Sequence, residues 1–206
     1  MPLLASIPWP VTTARLAVRR GTADDVAATW AYRRLDEVNR WITRAPATLE
    51  EYGAQFADPG RLAKTLVIER DGQVIGDLMV SIEDAWAQAE VIDRAQGVQA
   101  ELGWSLHPDH GGCGYATEAV HELIRLCFED LGLRRVTASC FAANESSWRL
   151  MERVGMRREA YTIRDSLHRS GAWLDALAYA LLADEWRGPG PAGRPRRPAR
   201  NVGGAA

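Results

Sequence analysis

The sequence predicts an α/β (α+β) domain in which a mainly antiparallel mixed sheet is flanked by helices. Three stretches carry that expectation. Leu102-Gly103-Trp104-Ser105-Leu106 is an apolar run closed by His107-Pro108-Asp109. After it come a glycine-rich turn and an amphipathic helix whose stripe holds Ala116, Val120, Leu123, Ile124, Cys127 and Phe128. Residues 64–70 and 73–82 read as two strands joined at Asp71-Gly72, a dipeptide suited to a tight hairpin. Residues 157–167 and 173–182 read as a further antiparallel pair around His168-Arg169-Ser170-Gly171.

In chain order, Arg15 to Arg20 alternates apolar and polar residues and reads as a first strand. Thr22 then serves as the N-cap of a helix, with Asp24 and Asp25 facing the positive end of its dipole. Thr48-x-x-Glu51 has the spacing of a capping box and starts a shorter helix. Glu83 to Gln99 is longer than a hairpin requires and holds four acids, Glu83, Asp84, Glu90 and Asp93, against Arg94. A strand over residues 135–140 precedes a helix that follows Asn144 and stops at Gly155. From Gly188 the composition shifts to Gly, Pro, Ala and Arg, with four arginines and no acid. The expected organisation is one domain over residues 1–187 and a disordered tail over 188–206.

Composition narrows the function. A chain of 206 residues with 47% apolar content can bury a sizeable core, and a net charge of −2 argues against a general nucleic-acid binder. No apolar run is long enough to cross a bilayer, and the first eight residues lack the basic start of a signal peptide, so a cytoplasmic location is expected. Three cysteines without metal-ligand spacing point to no metal site. Cys127 and Cys140 read as small core residues, and Cys113 as either a reactive thiol or a plain loop residue.

The turn itself has a use. Gly111, Gly112 and Gly114 let the backbone approach a ligand, and the helix that opens there adds unpaired N–H groups. Such a turn holds a phosphate or pyrophosphate, or is simply a strand-to-helix connection. No Lys-Ser/Thr follows as in a P-loop, and the third glycine of the dinucleotide fingerprint is missing.

Gly112-x-Gly114-Tyr115-Ala116-Thr117-Glu118-Ala119, followed by Asn144-x-x-Ser147 and a helix ending in Gly155-Met156, resembles the GNAT superfamily of acyl-CoA-dependent N-acyltransferases. The likeness is greatest to its RimJ/RimL-like branch, the ribosomal-protein N-terminal acetyltransferases. It runs from about Thr13 to Trp186 and includes Arg15-Leu16-x-Val18-Arg19 at the start and Leu181-Leu182-x-Asp184-Glu185-Trp186 at the end. The resemblance implies the GNAT fold, with a partly splayed sheet, and acetyl-CoA as cofactor. It puts the pyrophosphate loop on Gly111, Gly112, Cys113, Gly114, Tyr115 and Ala116, with Thr117 beside it, and the acyl carbonyl against the backbone of Trp104, Ser105 and Leu106. Asn144 would lie near the pantetheine arm. Two positions depart from the family pattern: Cys113 stands where a basic residue is usual, and Met151 where many relatives carry the tyrosine that protonates the departing thiolate. Ser147 is the family's alternative donor; it also reads as a second capping hydroxyl.

The implied activity is transfer of acetyl from acetyl-CoA, by direct attack, to a primary amine that is either a protein N-terminus or a small molecule. Such a reaction must remove a proton from the amine and stabilise an oxyanion. Glu101 is the candidate base, with a surface ion-pair role as the other option. A catalytically silent acyl-CoA-binding module is the alternative, and Met151 speaks for it. His168 reads as a base or as a solvated turn residue. Trp30, Tyr32, Trp41 and Tyr52 read as an acceptor pocket or as core. The acidic segment 83–99 is expected to concentrate a cationic acceptor, with Trp86 offering a cation–π face, or else to be an exposed loop. The expected partner is the amine substrate, without nucleic acid or membrane, and a homodimer is left open.

Overall fold

The computed structural model describes residues 3–186 and Gly188. The basic tail expected after residue 187 therefore lies outside the described residues, apart from Gly188. Eight strands form one sheet: β1 (Val11–Thr12), β2 (Ala17–Arg20), β3 (Thr65–Arg70), β4 (Gln73–Glu83), β5 (Gln99–Leu106), β6 (Arg135–Phe141), β7 (Arg157–Leu167) and β8 (Trp173–Leu182). Their order is β1-β2-β3-β4-β5-β6-β8-β7. Every neighbouring pair is antiparallel except β5 and β6. At the β3–β4 hairpin Asp71 and Gly72 have φ of 50° and 77°, the positive values that its two-residue turn needs.

The parallel pair is short. It holds only Gln99 to Arg135, Ala100 to Val136 and Glu101 to Thr137. Beyond Glu101, β5 keeps β4 on its other edge as far as Leu106, and β6 keeps β8 as far as Phe141. The sheet therefore forks, and residues 102–106 have no strand on the side that faces β6.

Helices cover both faces. On one lie α1 (Val26–Arg33), α2 (Asp36–Asn39), α3 (Leu49–Phe56) and α4 (Pro59–Leu62), which bury Tyr32, Tyr52 and Phe56. On the other lie α5 (Tyr115–Arg125) and α6 (Glu145–Arg153) over the larger core. The α5 stripe is buried as its spacing demands: Ala119, Val120, Leu123 and Ile124 are no more than 1% exposed. The helix runs on through a π turn, Leu126–Asp130, which buries Cys127 as well. Gly155 at φ 90° ends α6.

Helix starts differ in detail from expectation. Thr22 caps a 3-10 turn, Ala23–Asp25, that precedes α1. Asp25 is buried against Arg19 at 2.7 Å, so its charge serves an ion pair as well as the helix end. The Thr48 hydroxyl accepts from the Glu51 amide at 3.1 Å, but the Glu51 carboxylate accepts from the Ala47 amide, one residue earlier than a capping box requires.

The acidic segment folds on itself. The Ala85 amide donates to the Ala95 carbonyl and the Gly97 amide to Asp84, closing a loop that contains the 3-10 turn Ala89–Ala95. This loop joins β4 to the paired end of β5, away from the fork, and Trp86 is 90% exposed.

Between α1 and the sheet sits a buried ion pair. Asp77 accepts from the Tyr32 hydroxyl at 2.8 Å, from Arg33 Nε at 3.0 Å and from Arg33 Nη2. Removing one partner strands the other charge in a dry layer. Asp77→Ala is expected to cost about 3–5 kcal/mol in a denaturant titration. Arg149→Ala, which breaks the exposed pair with Glu145, should cost less than about 1 kcal/mol.

Candidate active site

The loop after β5 is shaped by backbone geometry. A short 3-10 turn, Pro108–His110, leads into Gly111, where a Cβ would meet the Pro108 carbonyl oxygen at 2.9 Å. Gly112 and Gly114 sit at φ 73° and 80°, in the left-handed region that side chains resist. Gly114 is the N-cap of α5, and no side chain caps the first turn. The first-turn N–H groups of α5 and the positive end of its dipole are thus left for a ligand. Gly111, Gly112, Gly114, Tyr115, Ala116 and Thr117 line a cleft of about 1590 Å³.

Cys113 does not line it. The residue is exposed, and its carbonyl accepts from Arg15 Nη1 at 3.0 Å. Arg15, which stands in the opening motif, is a neighbour of the loop that sequence reasoning did not place there. Its side chain pairs with Glu118 at 2.7 Å and lies 4.6 Å from the centre of the Tyr115 ring. Glu118 also accepts from the Thr13 hydroxyl at 2.6 Å and from the Arg15 amide at 2.9 Å. The N-terminal strand region is thereby tied to the start of α5. A cation from almost a hundred positions earlier in the chain thus lies against the loop, paired with Glu118.

The fork forms the middle of the cleft. Trp104, Ser105 and Leu106 line one wall; Ser139, Cys140, Asn144 and Ser147 line the other. Asn144 makes no side-chain cap; its carbonyl oxygen accepts from the Ser146 hydroxyl at 2.9 Å. Burial pushes the Cys140 thiol up to about 11, with Ser147 acting the other way. Met151 is 1% exposed within the core, whereas Leu150 before it reaches the cleft.

The remaining wall lies under α1–α4. It includes Arg33, Asn39, Trp41, Arg44, Tyr52, Arg61, Lys64, Asp77 and, at the point where β5 and β6 part, Glu101. Glu101 is half-buried and opposite Ser81. Burial raises its pKa above the ordinary carboxylate value, Glu83 raises it further, and Lys64 opposes both. Among the described residues no cation comes within 4 Å of it. Trp41 and Tyr52 thus belong to the wall, while Tyr32 is wholly buried under it and Trp30 packs on Tyr52. His168 does not reach the cleft; its Nε2 contacts the Arg40 carbonyl at 2.8 Å and its ring packs on Trp41 and Phe141. None of residues 83–99 lines the cleft, so the expected steering by that acidic segment has no geometry behind it.

The model of the Acetyltransferase (GNAT) domain family matches residues 15–157. The chain belongs to this family. It is a GNAT N-acetyltransferase of the RimJ/RimL-like branch, and its cofactor is acetyl-CoA. The uncharacterized N-acetyltransferase YnaD of Bacillus subtilis is 29% identical over 85% of this chain and 98% of its own length. The putative ribosomal N-acetyltransferase YdaF of the same organism is 31% identical over 68% of this chain and 69% of its own. Among solved structures, a GNAT-family acetyltransferase from Bacillus anthracis superposes with a TM-score of 0.72 at 27% identity, covering 85% of this chain and 99% of that one. RimJ of Mycobacterium smegmatis, solved in complex with CoA-disulfide, does so with a TM-score of 0.67 at 25% identity, covering 86% and 90%.

The GNAT cleft fits a pyrophosphate-bearing cofactor on its own geometry, since the glycine turn leaves the backbone bare and the α5 N-terminus uncapped. Gly114→Val is expected to weaken CoA binding by tenfold or more in calorimetric titration, because a β-branched residue at positive φ deforms the turn. Arg15→Ala should weaken it less while lowering the melting temperature, since it releases the tie to Glu118.

Proposed function

We propose that this GNAT enzyme transfers acetyl directly to a primary amine on a small molecule or a protein N-terminus, with Glu101 taking the amine proton. The observation that carries the reading is Glu101 itself: a half-buried carboxylate at the fork, with a raised pKa and no ion pair within 4 Å among the described residues. Burial comes first among the causes, and it makes the carboxylate a better proton acceptor than an exposed glutamate. Once the carboxylate has accepted the proton from the reacting nitrogen, the amine is left neutral and nucleophilic.

Bound acetyl-CoA supplies the thioester carbonyl and the leaving thiolate. Gly111, Gly112, Gly114, Tyr115, Ala116 and Thr117 would hold its pyrophosphate through backbone N–H groups, without Cys113, and Asn144 would lie along its pantetheine arm. Trp104, Ser105 and Leu106 belong to a strand edge with no partner on the cleft side, which supports a role for their backbone in orienting the acyl oxygen. The Ser147 hydroxyl, in the cleft wall that also holds Cys140, is suited to give a proton to the thiolate. Met151, buried in the core, takes no part.

Thiol release from acetyl-CoA, measured against N-terminal peptides, polyamines, aminoglycosides and amino acids, tests the reading. A silent CoA-binding module would release thiol with none of them. Glu101→Gln should lower kcat/KM by about 10²–10⁴-fold and remove the acidic limb of the pH profile. In the native enzyme that limb should lie above the range of an exposed carboxylate, because Glu101 must ionise to act. The same shift has a sign for stability. A carboxylate whose folded pKa is raised destabilises the fold when ionised, so Glu101→Gln should melt higher than the native protein at neutral pH, the gain fading as pH falls through the raised pKa. Ser147→Ala should lower kcat more than it raises the KM for acetyl-CoA.

A further inference from the structure

The wall under α1–α4 carries positive charge that amine transfer alone does not use. Four cations line it, and two are satisfied within the protein. Arg33 is locked to Asp77, and Lys64 donates to the Ser81 hydroxyl at 3.0 Å with Glu101 as its nearby counter-charge. Arg61 and Arg44 are not: among the described residues neither guanidinium has a carboxylate within 4 Å. Arg44 is exposed, and an unpaired surface arginine is ordinary. Arg61 is half-buried, held with its guanidinium carbon 5.8 Å and 5.6 Å from the Tyr52 and Phe56 ring centres.

An unpaired charge taken partly out of water carries a large cost. Burial, and next the like charge of Arg33, with Arg44 also contributing, hold the Arg61 pKa below the ordinary arginine value. The Tyr52 and Phe56 rings and the charge of Asp77 offset part of that cost, but no carboxylate pairs with the guanidinium among the described residues. A second orphan lies in the same wall. Asn39 is 8% exposed, it lines the cleft, and its Oδ1 has no hydrogen-bond partner. A ligand that satisfies this wall brings an anion to the guanidinium and an N–H to the asparagine.

We propose that the acceptor is an amine that also bears a carboxylate, and that Arg61, seconded by Arg44, receives the carboxylate while Asn39 accepts an N–H of the same molecule. The inference rests on the transfer reading above. A guanidinium presents a planar fork of donors that matches a carboxylate, so it orients the acceptor as well as attracting it. Arg61 and Glu101 line the same cleft, so a carboxylate held at Arg61 keeps the amine within the cavity that Glu101 also lines. Glu37, the remaining acid of this wall, is exposed and screened, so it does not reverse the preference. Two sources supply such chemistry: a free amino acid, or a peptide whose N-terminal residues include Asp or Glu.

Thiol release from acetyl-CoA distinguishes them with four matched acceptor sets: amino acids, their carboxamides, and C-terminally amidated tetrapeptides with acidic or with basic second residues. Carboxylate-bearing acceptors should have kcat/KM about tenfold or more above their neutral or basic counterparts. A preference within the first two sets identifies an amino acid, and one within the peptides identifies an acidic N-terminus. Arg61→Gln should erase the ratio, mainly through the KM of the acceptor, with CoA affinity by calorimetry unchanged. Arg61→Lys should retain part of it, and Arg61→Glu should turn it toward basic acceptors. Equal use of all sets, a preference for basic amines, or a ratio unmoved by Arg61→Gln overturns the inference and leaves acetyl transfer standing. If CoA binds but no amine releases thiol, acetyl transfer and the inference fall together.

Discussion

Three residue pairs hold the two halves of the sheet together, and the rest of the molecule depends on where that pairing stops. Each half is satisfied on its outer edge, β5 by eight pairs with β4 and β6 by seven with β8. Parting after Glu101 therefore leaves only one short edge on each strand without a ladder. Backbone groups in such an edge need partners, and a cleft that admits a ligand or water supplies them. The core beneath α5 and α6 keeps the fork from closing, because Leu102 and Ala138, on the two diverging strands, are both buried within it. A single interruption of pairing thus creates an edge, a cleft and a junction for Glu101 at once.

Charge in the cleft is divided along its length. At the α5 end the loop is built from glycines and uncapped N–H groups, with Arg15 held to Glu118 beside it. That end offers fixed partial charges that need no rearrangement when a phosphate arrives. At the other end the wall holds whole charges, one pair neutralised within the protein and one half-buried guanidinium left over. Glu101 lines the same cleft, its pKa raised by burial and by Glu83 and opposed by Lys64.

A fold can bring a charge to a segment that has none in the expected place. Cys113 stands in the loop after β5, and Arg15, from the chain before β2, reaches the Cys113 carbonyl while paired with Glu118. The acidic segment 83–99 is the converse case. Its composition suggests a role in steering, yet the β4–β5 connection emerges at the closed end of the fork and none of its residues lines the cleft. Net charge in a segment has a consequence only where the chain path delivers it.

The sequence by itself determined the local elements and the phosphate loop, since those follow from contacts within a few residues. Apolar period drew α5, Asp71-Gly72 drew the hairpin, and three glycines in four residues drew a turn open to a ligand. Family likeness added the fork and the candidate roles of Glu101, Asn144 and Ser147. Only the tertiary structure decided which side chains meet across it. Arg33 with Asp77, and Arg15 with Glu118, join residues on different elements, and Arg61 and Asn39 come to line one cleft. Desolvation, which raises the pKa of Glu101 and makes Arg61 costly, arises from the packing of several elements at once. No window of sequence contains it.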